Sequence, residues 1–277
     1  MLKRLVKHKL AILGALIVLA FLVAAAFAPY LAPRDPLKSS LREARKPPSP
    51  TYPLGTDHLG RDLLSRIIFG TRVSLLMAVI SVGIGLAVGT PVGALSGFYG
   101  GATDMVTQRI VDIMMAFPGI LLAIVVVAVL GPGLWNAMLA VGISFVPTYV
   151  RVVRGAVLEL REREFVEASR ATGASGLHII VRHIMPNCIA PIIVLSTLQM
   201  ASAILWAAGL GYLGLGAQPP TPEWGAMLGE GYNYGMIRVA PHVTIFPGVA
   251  IALAVLGFNL LGDGLRDALD PRLRGRL

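Results

Sequence analysis

Charge is what this sequence has least of. Of 277 residues, 14% are Asp, Glu, Lys or Arg, whereas 55% are hydrophobic. Soluble domains are about one quarter charged, so roughly half of the usual ionic surface is missing. That shortage excludes an ordinary soluble enzyme and a disordered chain. A mean hydropathy of +0.73 leaves a chain whose surroundings are mostly lipid. Cysteine is nearly absent as well. Cys188 stands alone, which excludes an intrachain disulfide and a thiolate metal cluster. It reads as a small apolar packing residue beside Pro186 and Asn187, and excludes no compartment. No H-E-x-x-H, G-x-S-x-G or Walker A pattern occurs, so the chain carries no recognisable hydrolytic machinery of its own. His8, His58, His178, His183 and His242 are scattered and make no metal-ligand spacing. Nor does any acid sit in the middle of an apolar run, where a self-sufficient ion-coupled transporter needs one.

What the sequence has is long apolar runs. A bilayer-crossing helix takes about 20 of them. They lie at about residues 10–28, 73–98, 110–130, 134–150, 189–210 and 243–261, giving six spans. The first follows Lys3, Arg4, Lys7 and Lys9, and Ala26-Phe27-Ala28 imitates a signal-peptidase site. The run is longer than a usual signal core and further spans follow, so it reads as an uncleaved anchor. The formal charge of +9 and pI near 10.1 raise the possibility of nucleic acid. Sorting the Lys and Arg residues by side, with the N-terminus inside, puts 15 inside and nine outside. The basicity therefore reads as membrane topology, with both termini cytoplasmic, and nucleic acid is not expected as a partner. The first outer loop is basic but long, and long loops translocate largely regardless of charge. Lys46-Pro47-Pro48-Ser49-Pro50 is a stiff spacer within it.

Gly85, Gly89, Gly93 and Gly97 recur every four residues on one face of the second run. Lipid gives helices no hydrophobic reward for association, so close backbone approach through small residues supplies it. The stripe predicts tight helix packing. Pro91 and Pro118 predict kinks in the second and third spans. Arg109 and Asp112, at the inner end of the third, fit either a gate or a static pair, and the static pair is preferred. Ser144, Thr148, Ser196, Thr197, Gln199, Ser202 and Asn259 either line a path or bond between helices. On the outer side Glu223, Trp224 and Glu230 are candidates to face a partner protein, with interfacial anchoring as the other reading of the tryptophan. Gly209-Leu210-Gly211-Tyr212-Leu213-Gly214 satisfies G-x-G-x-x-G, but it ends a span and follows no strand, so no dinucleotide site is expected.

The longest inner segment runs over residues 151–185. Glu159, Arg163 and Glu167 follow one another at four-residue spacing, which predicts alternating ions stacked along a helix. Phe165, Ala168 and Thr172 share another face, two of them small. Gly173 predicts a helix stop or bend, because glycine takes the left-handed cap conformation cheaply. A second short helix is expected from Ser175 to His183, before Pro186 opens the fifth span. The segment reads as helix–glycine–helix on a membrane surface; a plain interfacial connector fits the same pattern.

Glu167-Ala168-Ser169, Gly173 and Pro186 in this order resemble the EAA loop of ABC-importer permeases. Ser169 stands where that pattern has a second alanine, and His183 where it has an isoleucine. His183-Ile184-Met185-Pro186-Asn187 is similar to the version in the peptide and nickel branch. Leu54-Gly55-Thr56-Asp57, Gly60-Arg61-Asp62, Ser65-Arg66, Gly70 and Arg72-Val73-Ser74-Leu75 resemble that branch's segment before the second span. Leu213-Gly214-Leu215-Gly216, Pro219-Pro220 and Trp224-Gly225 resemble its last outer loop. Asn259-Leu260-Leu261-Gly262-Asp263-Gly264-Leu265-Arg266-Asp267-Ala268-Leu269-Asp270-Pro271 resembles its C-terminal signature.

The resemblance implies an all-α type I ABC-importer permease with six transmembrane helices and cytoplasmic coupling helices. Residues 1–72 would be the anchor helix and outer loop, and residues 73–277 a five-helix core with the EAA loop at about 159–187. It implies a non-catalytic subunit of the prokaryotic cytoplasmic (inner) membrane. Its partners would be a second permease subunit, two cytoplasmic ATPase subunits and an extracytoplasmic binding protein. ATP and Mg would sit on the ATPases, and no cofactor on this chain. Phe165, Glu167, Ala168, Ser169, Thr172, Gly173 and Pro186 would form the ATPase-coupling site. Glu167 would orient the loop through backbone amides or a partner Arg, or else pair internally with Arg163 or Arg170. Di- or oligopeptides would be the solute, with nickel chelates, opines and glutathione as alternatives. A stand-alone secondary transporter is the competing class.

Overall fold

The computed structural model describes residues 9–269, and among these no strand occurs. Lys3, Arg4, Lys7, His8 and the Asp270-Pro271 end of the C-terminal motif lie outside the described residues. Helix α1 (Lys9–Ala26) is followed by a forty-residue-scale loop to α2 (Leu63–Tyr99). The α2 start is set by Asp62, whose carboxylate accepts from the backbone N–H of Ser65 at 2.8 Å. Such an N-cap satisfies an amide that has no partner inside the helix. Capping there draws Arg66 and Arg72 into the helix, so α2 begins ten residues before its apolar run. At 1.5 Å per residue its 37 residues exceed the roughly 30 Å hydrocarbon core. Its first turns, which carry Arg66 and Arg72, precede the apolar run.

The third span departs from expectation. α3 (Gly101–Met115) and α4 (Gly119–Leu130) meet at 88°, so Pro118 marks a break instead of a kink. The Pro118 backbone is extended (φ −52°, ψ 131°), the conformation that lets the chain change direction before α4 starts. Pro91, by contrast, lies within unbroken α2. α5 (Leu134–Leu160) continues ten residues beyond its apolar run and carries Arg151 and Arg154. α6 (Glu164–Ala171) is followed by α7 (Gly176–Tyr212), α8 (Trp224–Asn233) and α9 (His242–Leu269). Among the described residues, five helices (α1, α2, α5, α7 and α9) are long and apolar enough to cross a membrane, and the bent α3–α4 pair, taken as one broken span, makes six.

The separate short helix expected before Pro186 is not formed. The chain instead runs continuously from Gly176 into the fifth span through a π turn at Ile180–Ile184. A proline ring clashes with the preceding turn of an α-helix, and a widened turn relieves that clash. The Asn187 amide, donating to the His183 carbonyl at 2.7 Å, takes up an acceptor there.

Packing follows the small residues. A Cβ on Gly85 would lie 2.8 Å from that of Phe145, and one on Gly89 2.5 Å from that of Tyr149. One on Gly93 would lie 2.6 Å from the Val150 carbonyl, and one on Gly97 3.0 Å from that of Arg154. The four glycines thus seat α2 directly on the α5 backbone. α1 is held on α9 in the same way, through Gly14, Gly257 and Gly264. The main core includes Leu63, Met138, Phe145, Tyr149 and Ile204. A second apolar cluster sits at the far end, where Phe98, Val153, Val157, Val166, Ile179, Ile184 and Cys188 are buried together.

Candidate functional site

The segment at residues 159–187 is built from helix ends. α5 stops at Leu160, and Arg163 adopts an extended backbone (ψ 146°) before α6. That interruption breaks the expected stack of ions. Arg163 reaches back to Glu159 at 3.1 Å, with both side chains exposed. The Glu167 carboxylate is exposed and makes neither a side-chain hydrogen bond nor an ion pair among the described residues. Its internal pairing with Arg163 or Arg170 is therefore not formed; Arg170 lies instead over the Phe98 ring, 5.3 Å from its centroid.

α6 is seated through one buried residue, Val166, which inserts into the second apolar cluster. Phe165, Ala168 and Thr172 point the other way and are exposed, and Ser169 is half-buried. Gly173 has φ +80°, in the left-handed region, and a Cβ there would meet nothing within 4 Å. The glycine is required by backbone conformation and not by crowding. Its N–H donates to the Arg170 carbonyl at 2.9 Å, while the Ala174 N–H donates to that of Ser169 at 3.1 Å, closing α6. Ser175 then caps the start of α7 by accepting from the His178 N–H at 3.4 Å. Pro186 is exposed within α7, well past the bend. The result is a short helix presenting small and aromatic side chains outward on an apolar foot. That arrangement leaves Phe165, Ala168 and Thr172 on an open face of α6.

The same end carries a polar joint. Arg154 on α5 grips Asp104 on α3 with two bonds of 2.6 Å, and the Ser96 hydroxyl on α2 donates to the same carboxylate at 2.5 Å. Arg161 donates to the Gly97 carbonyl at 3.0 Å. Asp112 pairs with Arg151 at 2.7 Å and not with Arg109, because it faces α5 across the interhelical contact. Of the polar positions in the spans, Ser144 and Thr197 bond to carbonyls of their own helices, and Ser196 accepts from the Tyr149 hydroxyl at 2.9 Å.

At the opposite end a buried ionic cluster joins the first loop to α8. Arg61 binds Asp57 at 2.6 Å and Glu230 at 2.7 Å; Arg66 also reaches both carboxylates. Burial pushes the Asp57 carboxyl up, but the Arg66 and Arg61 guanidiniums outweigh it and hold the group below its ordinary range. Burial lowers the His58 imidazole, which stacks on Tyr234 with ring centroids 4.0 Å apart. Asp57, His58 and Glu230 place ligand-type atoms within 4.8 Å of one another. Two arginines already neutralise the two carboxylates, so the group does not fit a divalent ion.

Glu223 and Trp224 do not face outward as expected; both are fully buried. The Glu223 carboxylate caps α8 by accepting from the N–H groups of Gly225 at 2.9 Å and Ala226 at 2.8 Å, and from Ser74 at 3.1 Å. Burial raises its carboxyl. The Trp224 indole donates to the Ile67 carbonyl at 3.1 Å. Only Glu230 of the three keeps some exposure, and its charge is turned inward.

Residues 89–275 match the model of the "Binding-protein-dependent transport system inner membrane component" family. The chain belongs to this family. Residues 1–48 of the permease match the "N-terminal TM domain of oligopeptide transport permease C". It is 48% identical to a dipeptide transport system permease protein of Alkalihalophilus pseudofirmus, over 98% of this chain and 89% of that protein. It is 46% identical to a glutathione transport system permease protein of Pectobacterium atrosepticum, over 98% of this chain and 90% of that one. Its fold is similar to that of a chain of the MetNI methionine ABC transporter, a structure solved in inward-facing conformations, with a TM-score of 0.60 and 24% identity. That match covers 74% of the permease and 96% of the solved chain. The permease is thus a multi-pass membrane component of type I ABC-importer architecture.

Sequence reasoning missed the Asp57–Arg61–Arg66–Glu230 cluster as a unit. Its signal was present: charges are scarce throughout, yet Asp57, Arg61, Asp62 and Arg66 crowd into ten positions.

Proposed function

We propose that this permease forms half of the translocation path of an ATP-driven importer of di- or oligopeptides. A second permease subunit supplies the other half. Two cytoplasmic ATPase subunits sit below the pair, one of them docking on α6, and an extracytoplasmic binding protein delivers solute at the end carrying residues 27–62 and 213–241. The membrane is the prokaryotic cytoplasmic (inner) membrane, with both termini inside. ATP and Mg belong to the ATPases, and this chain contributes force transmission and a path.

The observation that carries the reading is α6 itself, with Val166 rooted in the core and Phe165, Ala168 and Thr172 displayed. Small exposed residues on a short helix with an apolar root suit a groove on a moving partner. Glu167, free of internal partners, is available to bond that partner's amides or arginine. Gly173 sets the bend, and Ser169 and Pro186 frame the segment. The identity to a dipeptide permease supports peptide as the solute. Glutathione, itself a modified tripeptide, is the second reading, favoured by the 46% identity to a glutathione permease.

Affinity purification from the native membrane in mild detergent tests the assembly. Recovery of a second permease and ATPase subunits is the expected result, and the binding protein then reports the solute by competition between dipeptides and glutathione. The chain alone, active in proteoliposomes without ATP, would establish a stand-alone transporter instead. Within an assembled complex, Gly173→Val should cut ATP-driven uptake, while Gly173→Asn keeps more of it because Asn tolerates the left-handed conformation. Equal uptake by both variants and the parent would sink the bend.

A further inference from the structure

α3 is held to the rest of the molecule in an unusual way. Among its fifteen residues one side chain, Val111, is buried. Met105, Val106, Ile110 and Ile113 are all exposed. Most of its apolar side chains therefore face away, while the half-buried Asp104 and Gln108 face the protein beside Val111 and the exposed Asp112 reaches in from the edge of that face. What they meet is ionic and polar. Arg154 forks onto Asp104 at 2.6 Å, Ser96 donates to it at 2.5 Å, Gln108 donates to Ser96 at 3.3 Å, and Arg151 binds Asp112 at 2.7 Å. The Asp112 pair is half-exposed on both sides, where an ion pair contributes little. The Asp104 pair is more enclosed and doubly bonded, the stronger kind of charge-assisted contact.

The position of Arg154 gives this joint its meaning. It lies between Val153 and Val157, the α5 side chains that share the buried cluster with Val166, the root of α6. A displacement of α6 is thus passed by packing to that turn of α5. The same turn holds α3 by its fork on Asp104. The joint needs such a clamp because the 88° break at residues 116–118 leaves no continuous helix to carry α3 along with α4.

We propose that Asp104 is a positioning residue that makes α3 move as one body with the coupling segment, so that ATP-driven motion of α6 reaches the broken third span. The proposal rests on reading residues 159–187 as the ATPase-coupling segment.

The test uses the assembled transporter in proteoliposomes. Asp104→Asn should lower solute uptake on the order of tenfold, within the range of coupling losses between sites. ATP hydrolysis should persist, so that more ATP is consumed per solute imported. Asp104→Glu, which keeps the charge and the fork, should restore most of the uptake. A merely structural role predicts hydrolysis and uptake falling in parallel, with less assembled complex, and that result overturns the proposal. Spin labels at Val106 and Glu162, both exposed, give a readout on the parent protein that does not depend on the variant folding. Their separation should stay constant between nucleotide-free and ATP-bound states. A separation that changes with nucleotide in the parent overturns the proposal directly. ATP-dependent parent uptake with Asp104→Asn matching it also overturns the proposal, while leaving the coupling reading standing. Parent uptake independent of ATP overturns the coupling reading, and the proposal with it.

Discussion

Arg61 Nη2 meets Glu230 Oε2 at 2.7 Å across 169 positions of sequence. The bond pins α8 to the loop that precedes α2, and Arg66 doubles it. With Asp57 the four form two cations and two anions in a setting where Arg66 is 1% exposed. Such a group is costly to assemble but costlier to leave half made.

Removing one member should show this. Arg66→Ala leaves the buried Asp57 carboxylate short of a counterion, a change that costs about 3–5 kcal/mol for buried pairs. Thermal unfolding in detergent, followed by circular dichroism, should shift accordingly. Adding Glu230→Leu should cost less than the sum of the two single losses, because the partner charge leaves as well. Additive losses would mean that the residues do not act together.

The glycine stripe offers a contrast within a single helix. A Cβ at Gly89 would lie 2.5 Å from that of Tyr149 and 2.8 Å from the Val146 carbonyl, whereas one at Gly83 meets nothing within 4 Å. Gly89→Ala should destabilise by about 1–3 kcal/mol, the usual range for overpacking. Gly83→Ala should be neutral or stabilising by up to about 1 kcal/mol, since alanine is the better helix former. The same thermal measurement on both variants decides it; equal shifts would remove the stripe from the packing argument.

Glu223 gives a dependence on pH. Burial raises its carboxyl above the ordinary value of 4.5, and the capping N–H groups and Ser74 only partly oppose that. A carboxyl raised on folding contributes stability that is fully present below its unfolded value and is lost as pH rises through the folded one. Stability measured upward from about that point should therefore decline through this group. Glu223→Gln should remove this component of the pH profile. It should also cost about 1–3 kcal/mol, because one amide oxygen replaces two carboxylate oxygens that cap separate N–H groups. An unchanged profile in the variant would assign the pH dependence elsewhere.

The local shape of the 159–187 segment was legible because its cues are local. Gly173 announces a left-handed residue, and the apolar Val166 is flanked by exposed Phe165 and Glu167. The ion stack over Glu159, Arg163 and Glu167 was misjudged because spacing assumes one continuous helix. The chain turns at residues 161–163 instead, and only the first pair survives. The short helix before Pro186 was misjudged for the opposite reason, since a π turn carries the helix past a residue that normally stops it.

Six apolar runs and the four-residue glycine spacing were determined by the sequence by itself. Lipid imposes length and apolarity on every span, and helical geometry puts every fourth residue on one face. What only the tertiary structure decided are the partners of the scarce charges. Asp112 takes Arg151 over Arg109, Asp104 takes Arg154, and Glu230 takes Arg61 and Arg66. It also decided that Glu223 and Trp224 turn inward. A charge withdrawn from water must find an opposite charge or a fixed dipole. Which one it finds depends on helices that meet in space, and the intervening residues carry no trace of that meeting.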